Sequence, residues 1–308
     1  MLRLSQPQRN YMETTIDPLD DMLAAAGAKV KTAQPRAPVA AKIVDPRNID
    51  VRFSRLKHFY KSALHYWHAA QNIDDEPSLA LRLGTATHAM MFGFEVREWA
   101  GVRNGRAWDV AKLAADRDQV PVVNGAEYSR AQAMCTALRR HKLASDLMFA
   151  EGCEYEKQLF WKFGSRKCSS RVDVMNHRLK YHLDYKTTRD ASEAAFQRDA
   201  WKRFYPAQLK FYDLAIEASF DWVPKERYII AQESTAPYDV TVHRPVPAAL
   251  AISMDTIHQW MDALALCERD NIWPGYAEGV LDFEPPNQPW SAGEMTIDSD
   301  VEVDGIGF

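Results

Sequence analysis

Apolar side chains recur every three or four positions in SRLKHFYKSALHYWHAAQ, where Leu56, Phe59, Tyr60, Ala63, Leu64 and Trp67 fall at helical spacing. The spacing predicts a helix. Ser54 is its expected N-cap, because a serine hydroxyl can accept from the free N–H groups of a first turn. A second helix is expected over LALRLGTATHAMMFGFE, with Leu83, Thr87, Met90 and Met91 on or beside one face, and a third over EYSRAQAMCTALRRHKLASDLM. The period then shortens. Residues 158–163 (QLFWKF), 168–175 (CSSRVDVM) and 181–187 (YHLDYKT) are short runs split by Gly164-Ser165 and Asn176-His177, which reads as an antiparallel meander. Helices are expected near 191–203 and 205–219, with Pro206 suited to a first turn, then strands at 226–232 and 238–244, and a long helix from about Pro247 to Asp270. The order predicts an α/β fold: a mixed central sheet with an antiparallel meander, flanked by helices.

Residues 1–48 are rich in Ala and Pro without a sustained period and read as a mobile N-terminal arm. Residues 49–290 read as one domain and 291–308 as an acidic C-terminal tail. The 308 residues, 46% apolar and 26% charged, are enough for a real core and exclude a disordered chain or a small disulfide scaffold. No apolar run approaches the length that spans a bilayer, and the N-terminus has no apolar core of a secretory signal, so no membrane association is expected. Cys135, Cys153, Cys168 and Cys267 form no CxxC pair; they read as reduced thiols of a cytoplasmic protein rather than a zinc or iron–sulfur site. The net charge of −4 hides an asymmetry: residues 281–308 carry seven acids and no Lys or Arg, leaving the rest at +3. A mildly basic body permits a polyanionic partner.

The meander carries the candidate chemistry. Side chains alternate along a strand, so Asp184 and Lys186 share a face while Tyr181, Leu183 and Tyr185 face apolar packing. Arg171, Asp173 and Met175 share a face of the preceding strand, which brings Asp173 near Asp184. Two carboxylates on one face repel unless something positive lies between them. A divalent cation with hard oxygen ligands fits there, and a lysine beside it can orient a water or stabilise developing charge, as phosphodiester hydrolysis requires. An ordinary solvated Asp–Lys pair gives the same pattern. Tyr205, Gln208 and Tyr212 lie at i, i+3 and i+7 on one helix face, where they suit either phosphate or base-edge contacts or amphipathic packing.

These segments resemble the PD-(D/E)XK nuclease superfamily, and in particular the RecE-type exonucleases (exodeoxyribonuclease VIII) and their phage-borne relatives. FSRLKHFYKSALHYWHA with LRLGTATHAMMF resembles the opening helices with their Gly-x-x-x-His motif. EYEKQLFW and SSRVDVM resemble the Glu and Arg-x-Asp strands. LDYKTTRDASEAAF resembles the Asp-x-Lys-Thr-Thr segment, FYPAQLKFYDLAI the Tyr-x-x-Gln-x-x-x-Tyr helix, and WPGYAEGVLDFEPPNQPW the ending. The likeness covers about 50–290. Val172 stands where the superfamily's name has proline.

The resemblance implies a restriction-endonuclease-like core. Its metal site would be His88, Glu156 (with Glu154 as rival), Asp173 and Asp184, with Lys186 as catalytic lysine. Gly84, one turn before His88, would allow close approach of a strand or substrate. Arg171 would pair with the acids or touch a phosphate, and Tyr205, Gln208 and Tyr212 would contact substrate. The implied activity is Mg2+-dependent, or Mn2+-dependent, 5′-to-3′ digestion of linear double-stranded DNA that leaves 3′ overhangs for recombination by single-strand annealing. The implied partners are DNA ends, a homo-oligomeric ring (tetramer or trimer) and a single-strand annealing protein, all in the cytoplasm of a bacterial host cell. The rivals are a RecB-like nuclease of other polarity and a DNA-end-binding recombination module without catalysis.

Overall fold

The helix expected from Ser54 is broken in two. In the computed structural model, which describes residues 45–71 and 79–282, Phe53–Leu56 makes one α-turn, Lys57–Tyr60 a 3-10 turn, and α1 starts at Ala63 and ends at Ala70. The cap is Ser62, not Ser54: its extended backbone stops the first segment and its hydroxyl accepts from His65 N. Of the expected arm, 1–44 lies outside the described residues, as do 283–308, which include the acidic tail. Pro46–Asn48, however, forms a 3-10 turn with Pro46 buried. Arg166 fixes that turn by donating to the carbonyls of Pro46 (2.6 Å) and Ile49 (2.7 Å).

α2 (Leu79–Met91) matches the second expected helix, with Gly93 at φ +79 just beyond its end. A helix that the periodicity did not announce, α3 (Arg106–Asp118), follows. The third expected helix divides into α4 (Gly125–Arg140) and α5 (Lys142–Met148). His141 causes the break, because its extended backbone ends α4 while its Nδ1 accepts from Ala144 N at 3.1 Å to start α5.

The meander is present and longer than expected: β1 (Cys153–Phe163), β2 (Arg166–Asn176) and β3 (Tyr181–Thr188). Gly164, at φ +56, makes the first turn, a conformation that disfavours a side chain. α6 (Glu193–Lys202) and α7 (Tyr205–Ser219) cross over to β4 (Glu226–Glu233), parallel to β3; β5 (Val240–His243) returns antiparallel, and α8 (Pro247–Asp270) closes the order. The sheet order is β1-β2-β3-β4-β5. One face packs on α7 and α8 through Leu159, Trp161, Phe211, Ile257 and Trp260; Leu183, Tyr185 and Ile230 pack on the other with Leu138 and Met148.

Two irregularities open this sheet. β2 and β3 pair only from Asn176↔Tyr181 to Val174↔Leu183, then part. Further along, Val51 takes the vacated edge of β2, bonding to Lys167 O (3.0 Å) and Ser169 N (2.9 Å). Residues 170–173 therefore border a gap. On the other side of β2, Glu156 sits at φ +52 between pairs that keep one register, Tyr155↔Val174 and Lys157↔Val172. A left-handed residue other than Gly costs about 1–2 kcal/mol. Here it exchanges the faces of β1: Leu159 packs toward α7 and Tyr155 toward the opposite core.

Candidate metal centre and cleft

The gap between β2 and β3 is the floor of a cleft of about 1290 Å³, roofed by α2 on one side and α7 on the other, and both expected aspartates line it. Asp173 is the residue just past the last β2–β3 pair. Its Oδ2 accepts from Tyr185 N at 2.9 Å, so a carboxylate does the work of a ladder carbonyl where the strands part. Asp184 and Lys186 share a face of β3 as alternation requires, with Lys186 Nζ 2.6 Å from Asp184 Oδ2. Lys186 also lies 5.0 Å above the Tyr205 ring.

His88 reaches the floor from α2. Its Nδ1 is 3.0 Å from Glu156 Oε1 and its Nε2 3.1 Å from Asp173 Oδ2. Gly84 permits this approach: a Cβ there would stand 3.0 Å from Thr187 Oγ1 at the end of β3. The strand, then, is what comes close to the missing side chain. The left-handed turn at Glu156 decides between the rival glutamates. Glu156 enters the site, while Glu154 pairs with Lys157 (2.6 Å) and His177 (3.2 Å). Arg171 pairs with Glu156 at 2.7 Å and remains largely exposed.

The ligand atoms of His88, Glu156 and Asp173 lie within 4.8 Å of one another. Asp184 stands beside this trio, held by Lys186 and by Gln208, whose Nε2 donates to Asp184 Oδ1 at 3.2 Å and to the Tyr212 hydroxyl at 2.7 Å. Gln208 thus orients a carboxylate. Tyr205, Gln208 and Tyr212 all line the cleft, and Tyr212 with Tyr205 also packs in the core beneath it.

Burial and charge divide the acids. Burial, with the neighbouring Asp173 charge, raises Asp184 to about 6 against the pull of Lys186. Burial also acts to raise Asp173, but the hydrogen bond and charge of His88, with Lys186 and Tyr185 N, hold it below the usual range. Burial lifts Glu156, outweighing His88 and Arg171. Burial opposes protonation of His88, yet the hydrogen bond and charges of Asp173 and Glu156 raise its pKa, and the ring stands between the two acids. One carboxylate low and its neighbour high is how two like charges share a buried site.

These residues fit a divalent ion. The donors are three carboxylates and an imidazole. Glu156 Oε1 and Asp184 Oδ2 are buried and, beyond their ion-pair contacts with His88 and Lys186, have no hydrogen-bond partner among the described residues.

Sequence reading missed Arg52, Ser169, Arg189 and Arg198, which also line the cleft. Arg52 Nε donates to Ser169 Oγ at 3.2 Å, a contact between residues 117 apart that no local pattern announces. Arg189 follows the Lys-Thr-Thr segment directly and was legible from that adjacency. Near the start of α7, Arg203 lines the cleft, whereas Lys210 on the helix turns to Asp213 at 3.3 Å.

Among the described residues no helix is long and apolar enough to cross a membrane. The four cysteines are free. No curated protein matches the chain. Among solved structures it is similar to a protein from Eubacterium rectale named "Putative exonuclease", at 12% identity and TM-score 0.56, over 82% of this chain and 97% of that one. A second structure, SSO0001, shares 13% identity at a TM-score of only 0.25, over 67% of this chain and 83% of that one. The first likeness is one of fold. Residues 52–282 match the family described as "PDDEXK-like domain of unknown function (DUF3799)", a span that holds the five strands and every site residue above, and the chain belongs to that family.

Proposed function

We propose that the chain is a metal-dependent deoxyribonuclease of the RecE type, a 5′-to-3′ exonuclease on linear double-stranded DNA that leaves 3′ single-stranded overhangs. The observation that carries this reading is the convergence of His88, Glu156, Asp173, Asp184 and Lys186 where β2 and β3 part, in a cleft bordered by Arg52, Arg189, Arg198 and Arg203. Membership of a PDDEXK-like family supports it, and the name of the Eubacterium rectale neighbour agrees with it.

Mg2+, with Mn2+ as a substitute, would be held by His88, Glu156, Asp173 and Asp184. When bound it supplies Lewis-acid stabilisation of charge on a phosphoryl oxygen. The chain's own groups do the rest. The cleft arginines pair with backbone phosphates and set the strand's path. Burial disfavours the Lys186 ammonium, but Asp184 and Asp173 outweigh it and hold its pKa above the ordinary lysine value. It is therefore a donor that orients a water or steadies developing negative charge, more than a base. Gln208 fixes the Asp184 carboxylate and leaves its Oδ2 toward Lys186.

The wider setting follows from the same resemblance: a homo-oligomeric ring around DNA, hand-over of the 3′ strand to a single-strand annealing protein, and work in the cytoplasm of a bacterial host. Linear duplex labelled at its 5′ or 3′ end, with a circular control, tests the reading. Loss of 5′ label as mononucleotide with Mg2+, intact circles and no product in EDTA are expected. Duplex binding without any product would leave an end-binding module in its place.

A further inference from the structure

Two polar ties join α7 to β3 along one stripe. Gln208 Nε2 donates to Asp184 Oδ1 at 3.2 Å, and His182 Nε2 meets Asp213 Oδ1 at 2.9 Å. Two residues along a strand rise about 6.6 Å. Five along a helix rise about 7.5 Å. The near match lets helix and strand run side by side with both ties made.

The second tie is buried. His182 and Asp213 have no exposed surface. Arg227 Nε bonds both Asp213 oxygens, at 2.9 and 3.0 Å, from β4. Lys210, on α7 itself, moves with Asp213, so the His182 and Arg227 bonds are the ones a slide of α7 along β3 would break at a buried carboxylate. His182 Nδ1 has no hydrogen-bond partner among the described residues, so the Asp213 bond is what orients the ring. The chain of contact back to the centre is short. Tyr212, next to Asp213, packs its ring edge-on to His182 at 6.0 Å, and its hydroxyl takes the Gln208 amide.

We propose that His182 is a positioning residue: its bond to Asp213 fixes the register of α7 on β3 and so holds the Gln208 amide against Asp184. The proposal rests on the nuclease reading of Asp184, and its test has an arm that does not need that reading. On the full chain, thermal unfolding is followed with rising Mn2+, and kcat and KM are measured on linear duplex.

In His182→Leu the Mn2+ concentration giving half of the thermal shift should rise about tenfold or more, as for loss of a group that orients a metal ligand. kcat should fall by a similar factor while KM stays within about threefold. His182→Gln keeps an N–H donor and should recover most of both. A folded His182→Leu whose Mn2+ response and kcat stay within about twofold of wild type would overturn the proposal, as would a His182→Gln no better than the leucine variant. If His182→Leu fails to fold, His182→Met, which fills the buried space without an N–H donor, takes its place under the same limits. If wild type cuts no DNA, the nuclease reading falls and the Mn2+ arm alone decides this one.

Discussion

Asp173 Oδ2 accepts the backbone N–H of Tyr185 at 2.9 Å, one step beyond the last β2–β3 pair, so an acid of the candidate metal centre also closes the end of the ladder. The two duties separate by substitution. Asp173→Asn keeps an oxygen for that N–H and should cost about 1 kcal/mol or less, whereas Asp173→Ala leaves the donor buried and unpaired and should cost about 1–3 kcal/mol. Both should lose metal-dependent cleavage. Urea unfolding beside a nuclease assay checks this; equal stability of the two variants would refute the structural half.

Lys186 is the group whose removal should act on turnover more than on binding. Lys186→Ala should lower kcat by about 10²–10⁴-fold, the range for one positioned proton-handling or charge-stabilising side chain, with a smaller change in KM. Steady-state kinetics on linear duplex measure it, and a loss confined to KM would reassign Lys186 to substrate binding.

Gly84 sets how closely α2 approaches β3. Gly84→Val should press on Thr187, whose Oγ1 would already be 3.0 Å from an added Cβ, and move His88 off the floor. A destabilisation of about 1–3 kcal/mol is expected for such overpacking. Thr187→Ala in the same chain should restore part of both stability and activity; no recovery would show that the contact is not the cause.

Much of this was legible in the sequence, for definite reasons. The long helix from Pro247 to Asp270 and the helix from Tyr205 to Ser219 appear at their expected limits because a proline in the first turn marks each start. Asp184 and Lys186 share a face because alternation along a strand leaves no choice. The breaks at Ser62 and His141 were not legible, since each depends on one side chain capping a backbone that apolar spacing alone would continue. Glu156 could not be separated from Glu154 by alternation, because its left-handed backbone suspends the rule at that residue. Arg52 on Ser169 and His182 on Asp213 join residues far apart in the chain, and only the folded sheet brings them together.

The buried Asp213 gives a pH signature away from the metal centre. Burial tends to raise its pKa, but the His182 hydrogen bond and charge, with those of Arg227, hold it below the ordinary value of 3.8. A depressed folded-state pKa stabilises the protein above the unfolded value, and the gain is lost as pH falls through the folded one. Breaking the cluster with Asp213→Asn should cost about 3–5 kcal/mol at neutral pH. The gap between the two proteins should narrow as pH drops below about 4. Denaturation midpoints across that range measure it, and a gap independent of pH would contradict the assignment.

The central claim is that one divalent cation site lies where β2 and β3 part. Anomalous X-ray diffraction from crystals soaked in Mn2+ tests it most directly. The account predicts a strong peak in the cleft at coordination distance from ligand atoms of His88, Glu156, Asp173 and Asp184. An empty cleft in crystals equilibrated with Mn2+, or a peak held by other residues, would contradict it.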